Sequence, residues 1–335
     1  MLNAKQLKMW QNVSRHLSKM SDDTQYRAQV EARLYKGIAP EIINKIYSQI
    51  PYQNSVNLIS QITKLDFSHN EFLAKIQTDA INLASNFTAY ILENYAKFAD
   101  SAHGRYICSD TFKELFMAWM RKNDRALVND ALHNTSAVLG ATQFDEILKS
   151  REESKTEAVF ITGIPGAGKS ASVKNFMSNP DIKLIFEGQL ANPAPSIAKI
   201  EKCLQNGLNV TICVLHIAPE RALENTFARF EAYGRGGSIA VMSNIQGNLG
   251  TGLAHIAEYF ADKINIIAID RDRGNEVVQG CAQVQNLINI GSKDEIFARL
   301  RAKLNSDFEN GKISKECFNQ ADKTNLMNIM RSGEK

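Results

Sequence analysis

The sequence lacks the features that mark membrane, secreted and nucleic-acid-binding proteins. It has no run of about 18 apolar residues, so we expect no membrane-spanning helix. Its opening stretch, MLNAKQLKMWQN, is too polar for a secretion signal. A formal net charge of +3 is too small to indicate a membrane or nucleic-acid partner. The composition is that of an ordinary globular protein and gives no reason to expect a membrane or nucleic-acid partner.

Cysteine is scarce and irregularly spaced. The five cysteines include no C-x-x-C pair, and the six histidines form no zinc signature. An odd number of scattered cysteines favours free, buried thiols over disulfides or a metal site. Because such thiols are typical of a reducing compartment, we predict a cytoplasmic protein. The cysteines are Cys108, Cys203, Cys213, Cys281 and Cys317.

The most informative stretch begins at Glu157 and reads EAVFITGIPGAGKSASV. A short apolar run leads into Gly163, and after four intervening residues come Gly168, Lys169 and Ser170. This is the complete phosphate-loop pattern, set between a predicted strand and a predicted helix. Glycines let consecutive backbone N–H groups point at one phosphate, which the helix N-terminus also attracts. The upstream strand and the Gly-Lys-Ser ending disfavour the alternative, an ordinary glycine-rich turn.

The chemistry of this loop predicts ATP and Mg²⁺ as cofactors. The Lys169 ammonium can reach the β- and γ-phosphates, and the Ser170 hydroxyl can hold Mg²⁺. The predicted nucleotide-binding residues of the loop are Gly163, Ile164, Pro165, Gly166, Ala167, Gly168, Lys169, Ser170 and Ala171.

Strands and helices alternate after the loop, which predicts an α/β fold built on a five-stranded parallel sheet. With 335 residues, two domains or one domain with appendages are expected. We predict an all-helical N-terminal domain at 1–98, an α/β core at 99–290 and a helical tail at 291–335. The predicted strands are 105–108, 158–162, 183–186, 210–217 and 264–269. The predicted helices of the core's second half are 193–206, 219–233 and about 253–263.

Ligands of open α/β sheets bind beyond the carboxyl ends of the strands. Phosphoryl transfer needs a carboxylate for the acceptor hydroxyl and cations for the developing negative charge. The candidates near those strand ends are Asp110, Glu187, Arg229, Arg235, Arg271 and Arg273.

Each candidate also has a structural interpretation. Asp110 could cap a helix, and Glu187 could be a turn residue. Arg229 and Arg235 could lie solvated on a helix and a loop, where ion pairs contribute little. His216 ends an apolar strand, and we expect it to be a core histidine whose ring is hydrogen-bonded.

Together these residues resemble the zeta-toxin family of phosphate-loop kinases. The similarity is carried by FEG at 186–188, ARFEAYGRG at 228–236 and DRDRG at 270–274. Members of that family use ATP to phosphorylate a UDP-activated amino sugar, so the resemblance implies a kinase for a nucleotide sugar. It also implies a toxin–antitoxin system, with an antitoxin as a possible partner.

The resemblance also implies site roles. Asp110 would be the general base and a possible metal ligand, and Lys169 would complete the catalytic set with Arg229 and Arg235. Arg271 and Arg273 would lie near the nucleotide. The implied substrate contacts are Glu187, which is the other possible metal ligand, His133 and Asn134.

The order of the motifs indicates a circularly permuted kinase core. In the family the catalytic aspartate, in a D-x-F-[KR] context, follows the strand after the phosphate-loop helix. Here only sixteen residues separate Ser170 from Glu187, whereas DTFK stands upstream at 110–113. Permutation is physically tolerable because chain termini often lie close together. We therefore expect strand 183–186 to lie between 105–108 and the phosphate-loop strand, with 210–217 and 264–269 on the other side.

Two questions stay open at the level of the sequence. The family usually has threonine and then arginine after Glu-Gly, where this chain has Gln189-Leu190-Ala191, so the acceptor could differ. A kinase for another acceptor, such as a polynucleotide 5′ end, and a nucleotide-binding module without transfer are the alternatives. The N-terminal helices could be a scaffold, or a regulatory cap that inhibits the core.

Overall fold

The computed structural model describes residues 58–97, 101–117, 125, 128–150, 152–177 and 179–322. The helical pattern predicted between Leu34 and Tyr47 lies outside these residues. The described chain divides into two compact units. One takes in residues up to Ile91 and from Lys113 to Thr135, and the other takes in Leu92–Phe112 and the chain from Ser136 onward. This division cuts the chain at other points than 98 and 290, and the predicted domain boundaries stay a prediction.

The described part of the first unit contains helices and the irregular segments that join them. Helix α1 (Glu71–Asn86) begins where the Asn70 side chain accepts a hydrogen bond of 3.0 Å from the Leu73 amide. The Gln77 side chain, buried on the same helix, exchanges two hydrogen bonds with the backbone of Leu65. A polar side chain buried with both its groups paired costs little, so Gln77 ties the preceding segment to α1.

The second unit is built on a six-stranded sheet with the order β1-β3-β2-β4-β5-β6. The first five of these strands are parallel, and β6 pairs antiparallel with β5. The predicted order of the five parallel strands is confirmed, including the place of 183–186 between 105–108 and the phosphate-loop strand. The strands are β1 (Tyr106–Ile107), β2 (Glu157–Thr162), β3 (Ile182–Glu187), β4 (Asn209–His216), β5 (Ile264–Asp270) and β6 (Glu276–Gln279).

The prediction of five strands was wrong because β6 is a short edge strand. The chain reverses through left-handed conformations at Gly274 and Asn275, where φ is 64° and 70°. The Asn275 amide donates to the Asp270 carbonyl oxygen at 2.9 Å, which closes the turn. Val277 is 53% exposed, so β6 has no buried apolar run that a sequence pattern could reveal.

Most predicted helices of the second half are present. Helix α7 begins at Pro219 and ends before Gly234, whose φ of 70° is the left-handed conformation typical of a helix end. The helices after α1 are α2 (Thr88–Lys97), α3 (Ser109–Met117), α4 (His133–Lys149), α5 (Lys169–Met177), α6 (Ala194–Gln205), α7 (Pro219–Tyr233), α8 (Ile239–Phe260), α9 (Cys281–Ile288), α10 (Lys293–Glu309) and α11 (Lys315–Asp322). Among the residues that the structure describes, no helix combines the length and the apolar composition of a membrane span.

Helix α8 starts at Ile239, well before the predicted start near Leu253. Glycines within it suggest a loop, but they mark close packing. A Cβ on Gly252 would lie 1.8 Å from the Leu190 carbonyl oxygen, and one on Gly247 would lie 2.7 Å from the Lys293 backbone. These positions of the helix require glycine, because a larger residue would overlap the neighbouring backbone.

Three aromatic rings fill the core on one side of the central strand. Phe160 on β2 and Phe186 on β3 have ring centroids 5.7 Å apart. Phe144 on α4 meets them at 6.4 Å and 5.7 Å, edge to face. Such aromatic contacts add to the burial of apolar area. The cluster therefore fixes α4 over the middle of the sheet.

Tyr95 of α2 holds the end of β1. Its hydroxyl donates to the Tyr106 carbonyl oxygen at 2.6 Å and accepts from the Cys108 amide at 3.2 Å. The ring stacks on Phe112 with centroids 3.6 Å apart, and the residue is completely buried. Because β1 has only two residues, this side chain supplies pairing that the short strand cannot supply itself.

Replacing Tyr95 by Phe should destabilise the protein. The change leaves the buried Cys108 amide without that acceptor, which costs about 1–3 kcal/mol in free energy of unfolding. Urea denaturation measures the loss. Tyr259→Phe is the matched control because Tyr259 is 55% exposed and donates only to Glu201. It should stay within about 0.5 kcal/mol of the parent. Equal stability of the two variants would contradict the role given to Tyr95.

Candidate functional site

The glycine loop, residues Gly163–Ser170, lies between the central strand β2 and helix α5. Gly163 and Gly166 have φ of 142° and 85°, in the region that favours glycine. A Cβ on Gly163 would lie 2.6 Å from the Leu215 carbonyl oxygen, and one on Gly166 would lie 2.1 Å from that of Ala222. Only glycine lets the loop approach β4 and α7 this closely.

Lys169 curls back over this loop. Its ammonium donates to the carbonyl oxygens of Gly163 at 2.8 Å and Ile164 at 3.1 Å. It also lies 3.6 Å from a carboxylate oxygen of Glu187, and its side chain is only 13% exposed. A half-buried ammonium held by weak neutral acceptors can exchange them for a stronger anionic ligand.

The remaining residues of the loop differ in exposure. Ile164 and Ala167 are buried beneath it, whereas Ser170 and Ala171 are exposed at the start of α5. Ser170 is therefore accessible from solvent at the start of this helix.

Tyr106 is a site residue that the sequence analysis missed. Its hydroxyl donates to a carboxylate oxygen of Glu187 in a short hydrogen bond, and it also interacts with the Ser170 side chain. Burial, and then the nearby Cys108 and Glu187, raise the pKa of Tyr106 well above its usual value. The phenol therefore keeps its proton and orients Glu187.

The register of the sheet explains this contact. Tyr106 on β1 pairs with Ile185 on β3, two residues before Glu187. Side chains two apart on a strand share a face, so the phenol and the carboxylate lie on the same side of the sheet. In the sequence, Tyr106 stands in a β-prone run typical of core, and only the pairing of β1 with β3 could have revealed it.

Asp110 lies in the first turn of α3 and meets two arginines. One carboxylate oxygen is 2.8 Å from a guanidinium nitrogen of Arg235 and 3.7 Å from one of Arg229. Arg235 is the more buried partner, with a side chain 12% exposed, against 38% for Arg229. The structure thus brings together the carboxylate and the two arginines that the sequence nominated separately.

The carboxylates of Glu187 and Asp110 both lie near Cys108, the residue that follows β1. Burial raises the pKa of its thiol to about 12, and the negative charges of Glu187 and Asp110 add to the rise. The loop that carries Arg235 also reaches the glycine loop, since a Cβ on Gly237 would lie 3.1 Å from Pro165 Cβ. The carboxylates, the arginines and the glycine loop therefore share one edge of the sheet.

Arg271 and Arg273 lie in different places. The Arg271 guanidinium covers the glycine loop, because a Cβ on Gly168 would lie 3.5 Å from its Cζ. The Arg271 amide donates to the His216 carbonyl oxygen at 2.8 Å, which fixes the segment. Arg273 lies 3.7 Å from Asp270 and lines a cavity whose lining includes none of the glycine loop. Its placement gives no support to the predicted nucleotide contact.

His133 and Asn134, the other predicted substrate contacts, belong to the first compact unit. The Asn134 side chain donates to the Thr63 carbonyl oxygen at 2.7 Å within that unit. Their role toward a substrate stays a prediction.

Comparison with known proteins adds no relative. No family model matches the chain, and no curated protein matches its sequence. The zeta-toxin resemblance therefore rests on the quoted motifs.

Replacing Gly166 by Ala should distort the glycine loop. Gly207→Ala is the matched control, because its φ is also positive, at 73°, but nothing lies within 4 Å of an added Cβ. A positive φ alone costs a non-glycine residue about 1 kcal/mol or more, and Gly166→Ala adds the overlap with Ala222. Urea denaturation should show a larger loss for Gly166→Ala. Equal losses would contradict the close approach described here.

Proposed function

We propose that this protein is an ATP-dependent phosphotransferase that phosphorylates a hydroxyl group of a small acceptor. The observation that carries the proposal is the convergence at one sheet edge. There the glycine loop with its curled lysine adjoins a carboxylate held between two arginines. Phosphoryl transfer needs positioning and charge stabilisation more than covalent chemistry, and these residue types supply both.

The glycine loop is suited to the nucleotide phosphates. Its backbone amides and the N-terminus of α5 favour an anion. Lys169 would exchange the carbonyl oxygens of Gly163 and Ile164 for β- and γ-phosphate oxygens. Arg271 lies over the same loop and adds a second cation. Exchange of neutral acceptors for phosphate is favourable because charge-assisted hydrogen bonds are stronger than neutral ones.

The residues present fit Mg²⁺ as a cofactor. Ser170 and Glu187 offer the hydroxyl and carboxylate oxygens that a hard cation prefers, and Mg²⁺ usually takes its other ligands from phosphates and water. When bound, Mg²⁺ would neutralise charge on the phosphates. Asp110 suits the ion less well, because the guanidinium groups of Arg229 and Arg235 already surround it.

Asp110 is the proposed general base. Its carboxylate forms an ion pair with Arg235 at 2.8 Å. A phosphoryl group entering beside the arginines would draw both guanidinium groups toward its oxygens, since they match phosphate geometry. Asp110 would then be released to accept the proton of the acceptor hydroxyl. The ion pair would therefore suppress the base until the donor phosphate is in place.

The same proposal names an acceptor and a regulator in less detail. The zeta-toxin resemblance favours a UDP-activated amino sugar, and an antitoxin or the N-terminal helices as the regulator. The stretch Gln189–Ala191 departs from the family and leaves room for another acceptor. ATP turnover that needs no acceptor, or no turnover, would favour a nucleotide-binding module instead.

Lys169→Ala should abolish transfer because it removes the cation that tracks the β- and γ-phosphates. The protein is incubated with ATP and a panel of nucleotide sugars, and products are identified by mass spectrometry. Lys149→Ala is the control, since the Lys149 side chain is 70% exposed and pairs only with Glu146 on its own helix. Undiminished product from Lys169→Ala would refute the kinase proposal.

Asp110→Asn should separate catalysis from structure. Asparagine keeps an oxygen for Arg235 but cannot take the proton, so turnover should fall at least about a hundredfold with ATP binding retained. Stability should change by about 1 kcal/mol or less, because the ion pair is partly exposed. Turnover is followed by product formation, ATP binding by calorimetry and stability by urea denaturation.

Asp145→Asn is the matched control for that variant. Asp145 is 42% exposed and pairs with Lys202 at 2.7 Å, which is close to the 43% exposure and the 2.8 Å ion pair of Asp110. It should keep parent-like turnover. Parent-like turnover by Asp110→Asn as well would move the search for the base to Glu187.

A further inference from the structure

The segment after β5 carries charged side chains to two places. Arg271 covers the glycine loop, whereas Asp270 and Asp272 line a cavity of about 540 Å³. The proposed phosphoryl transfer uses neither aspartate. The cavity is lined by His216, Asp270, Asp272, Arg273, Val278, Gln283, Asn286 and Leu287.

Strand register brings a histidine to the two aspartates. His216 on β4 pairs directly with Asp270 on β5, so both side chains stand on the same face of the sheet. One ligand atom from each of His216, Asp270 and Asp272 lies within 4.8 Å of those of the other two. The arrangement comes from the sheet itself and does not depend on a flexible loop alone.

The His216 side chain lines this cavity and is 8% exposed. Its burial was expected from the apolar strand that it ends, whereas none of the described residues forms a hydrogen bond with its ring. The neighbouring charges of the ring are those of Asp270, Asp272 and Arg273. An imidazole that lines a cavity beside two carboxylates can offer a ring nitrogen to a metal ion.

We propose that His216, Asp270 and Asp272 bind a divalent transition-metal ion. One imidazole and two carboxylates are donors typical of Zn²⁺, Mn²⁺ or Fe²⁺, whereas a site for Mg²⁺ would contain oxygens alone. Zinc lies about 2.0–2.2 Å from such ligands, so small side-chain rotations would bring all three atoms to one ion. The cavity leaves space for water or a further ligand to complete the coordination.

The other contacts of the two aspartates fit supporting roles around such an ion. One oxygen of Asp272 accepts from the Ala218 amide at 2.6 Å, and the other pairs with Arg221. Asp270 accepts from the Asp272 amide at 3.0 Å, and Arg273, which lies 3.7 Å from its other oxygen, is 73% exposed and can move away. Such outer contacts orient carboxylate ligands and leave lone pairs for the metal.

The bound ion would join the ends of β4 and β5. That junction also carries the hydrogen bond between the Arg271 amide and the His216 carbonyl oxygen, and thus the arginine on the glycine loop. The proposed site goes beyond phosphoryl transfer and stands without it. It can be tested on nucleotide-free protein.

The test is equilibrium dialysis of EDTA-treated, nucleotide-free protein against buffered Zn²⁺, with bound metal counted by mass spectrometry. The parent should bind one Zn²⁺ at this site, and His216→Asn should weaken that binding at least about tenfold. Asp272→Asn is the second variant, and we expect it to fold like the parent. The Asp272 side chain is 26% exposed, and asparagine can still accept the hydrogen bond from the Ala218 amide. It should show the same loss.

Two controls separate this site from other zinc ligands. His255→Asn removes an exposed histidine on α8, and Cys281→Ser removes the least buried thiol. Both should bind Zn²⁺ like the parent. The proposal is overturned if the parent binds no Zn²⁺, if His216→Asn and Asp272→Asn bind like the parent, or if Cys281→Ser alone loses the metal.

Discussion

The candidate site depends on the parallel pairing of a two-residue strand. Strand β1 contributes only Tyr106 and Ile107 to the sheet, yet it delivers Tyr106 to Glu187 and starts α3 so that Asp110 faces Arg235. The Ile185 amide donates to the Arg105 carbonyl oxygen at 2.8 Å, and the buried Tyr95 hydroxyl bridges both ends of the strand. So few ladder bonds could not hold β1 without such side-chain support.

Charge balance is the second constraint on this edge of the sheet. Lys169 donates to loop carbonyl oxygens near Glu187, and Arg235 forms an ion pair with Asp110. Each cation therefore already has an acceptor within the protein. A phosphate ligand would have to bind these cations more strongly than their acceptors within the protein do. It can do so because it offers several charged oxygens in one place. These contacts keep the cations positioned without burying them unpaired.

The pairing of β4 with β5 positions the residues of two chemically different sites. Asp270 ends β5, and Arg271 and Asp272 follow it in the turn. Arg271 is directed to the glycine loop, and Asp270 and Asp272 are directed to the cavity beside His216. The proposed metal and the proposed nucleotide would therefore act on the same short stretch of backbone from two sides.

The sequence by itself determined the features that depend on neighbouring residues. The glycine loop, the parallel strands around it and the limits of α7 follow from local spacing, because glycine, proline and apolar runs act within a few residues. The order of the five parallel strands could also be predicted, through the resemblance and the displaced DTFK motif. The candidates Asp110, Arg229 and Arg235 could be nominated from their places after a strand, on the helix before the loop and in the loop.

Only the tertiary structure decided which of those residues meet. Tyr106 and Glu187 are 81 residues apart in sequence, and no local pattern encodes the register that joins them. The same holds for the glycines of α8, whose role depends on the backbone packed against them, and for the exposed strand β6. His216 is the clearest case, since a buried strand end predicts burial but not that Asp270 and Asp272 lie beside the ring. That neighbourhood depends on which side chains the adjacent strand places there.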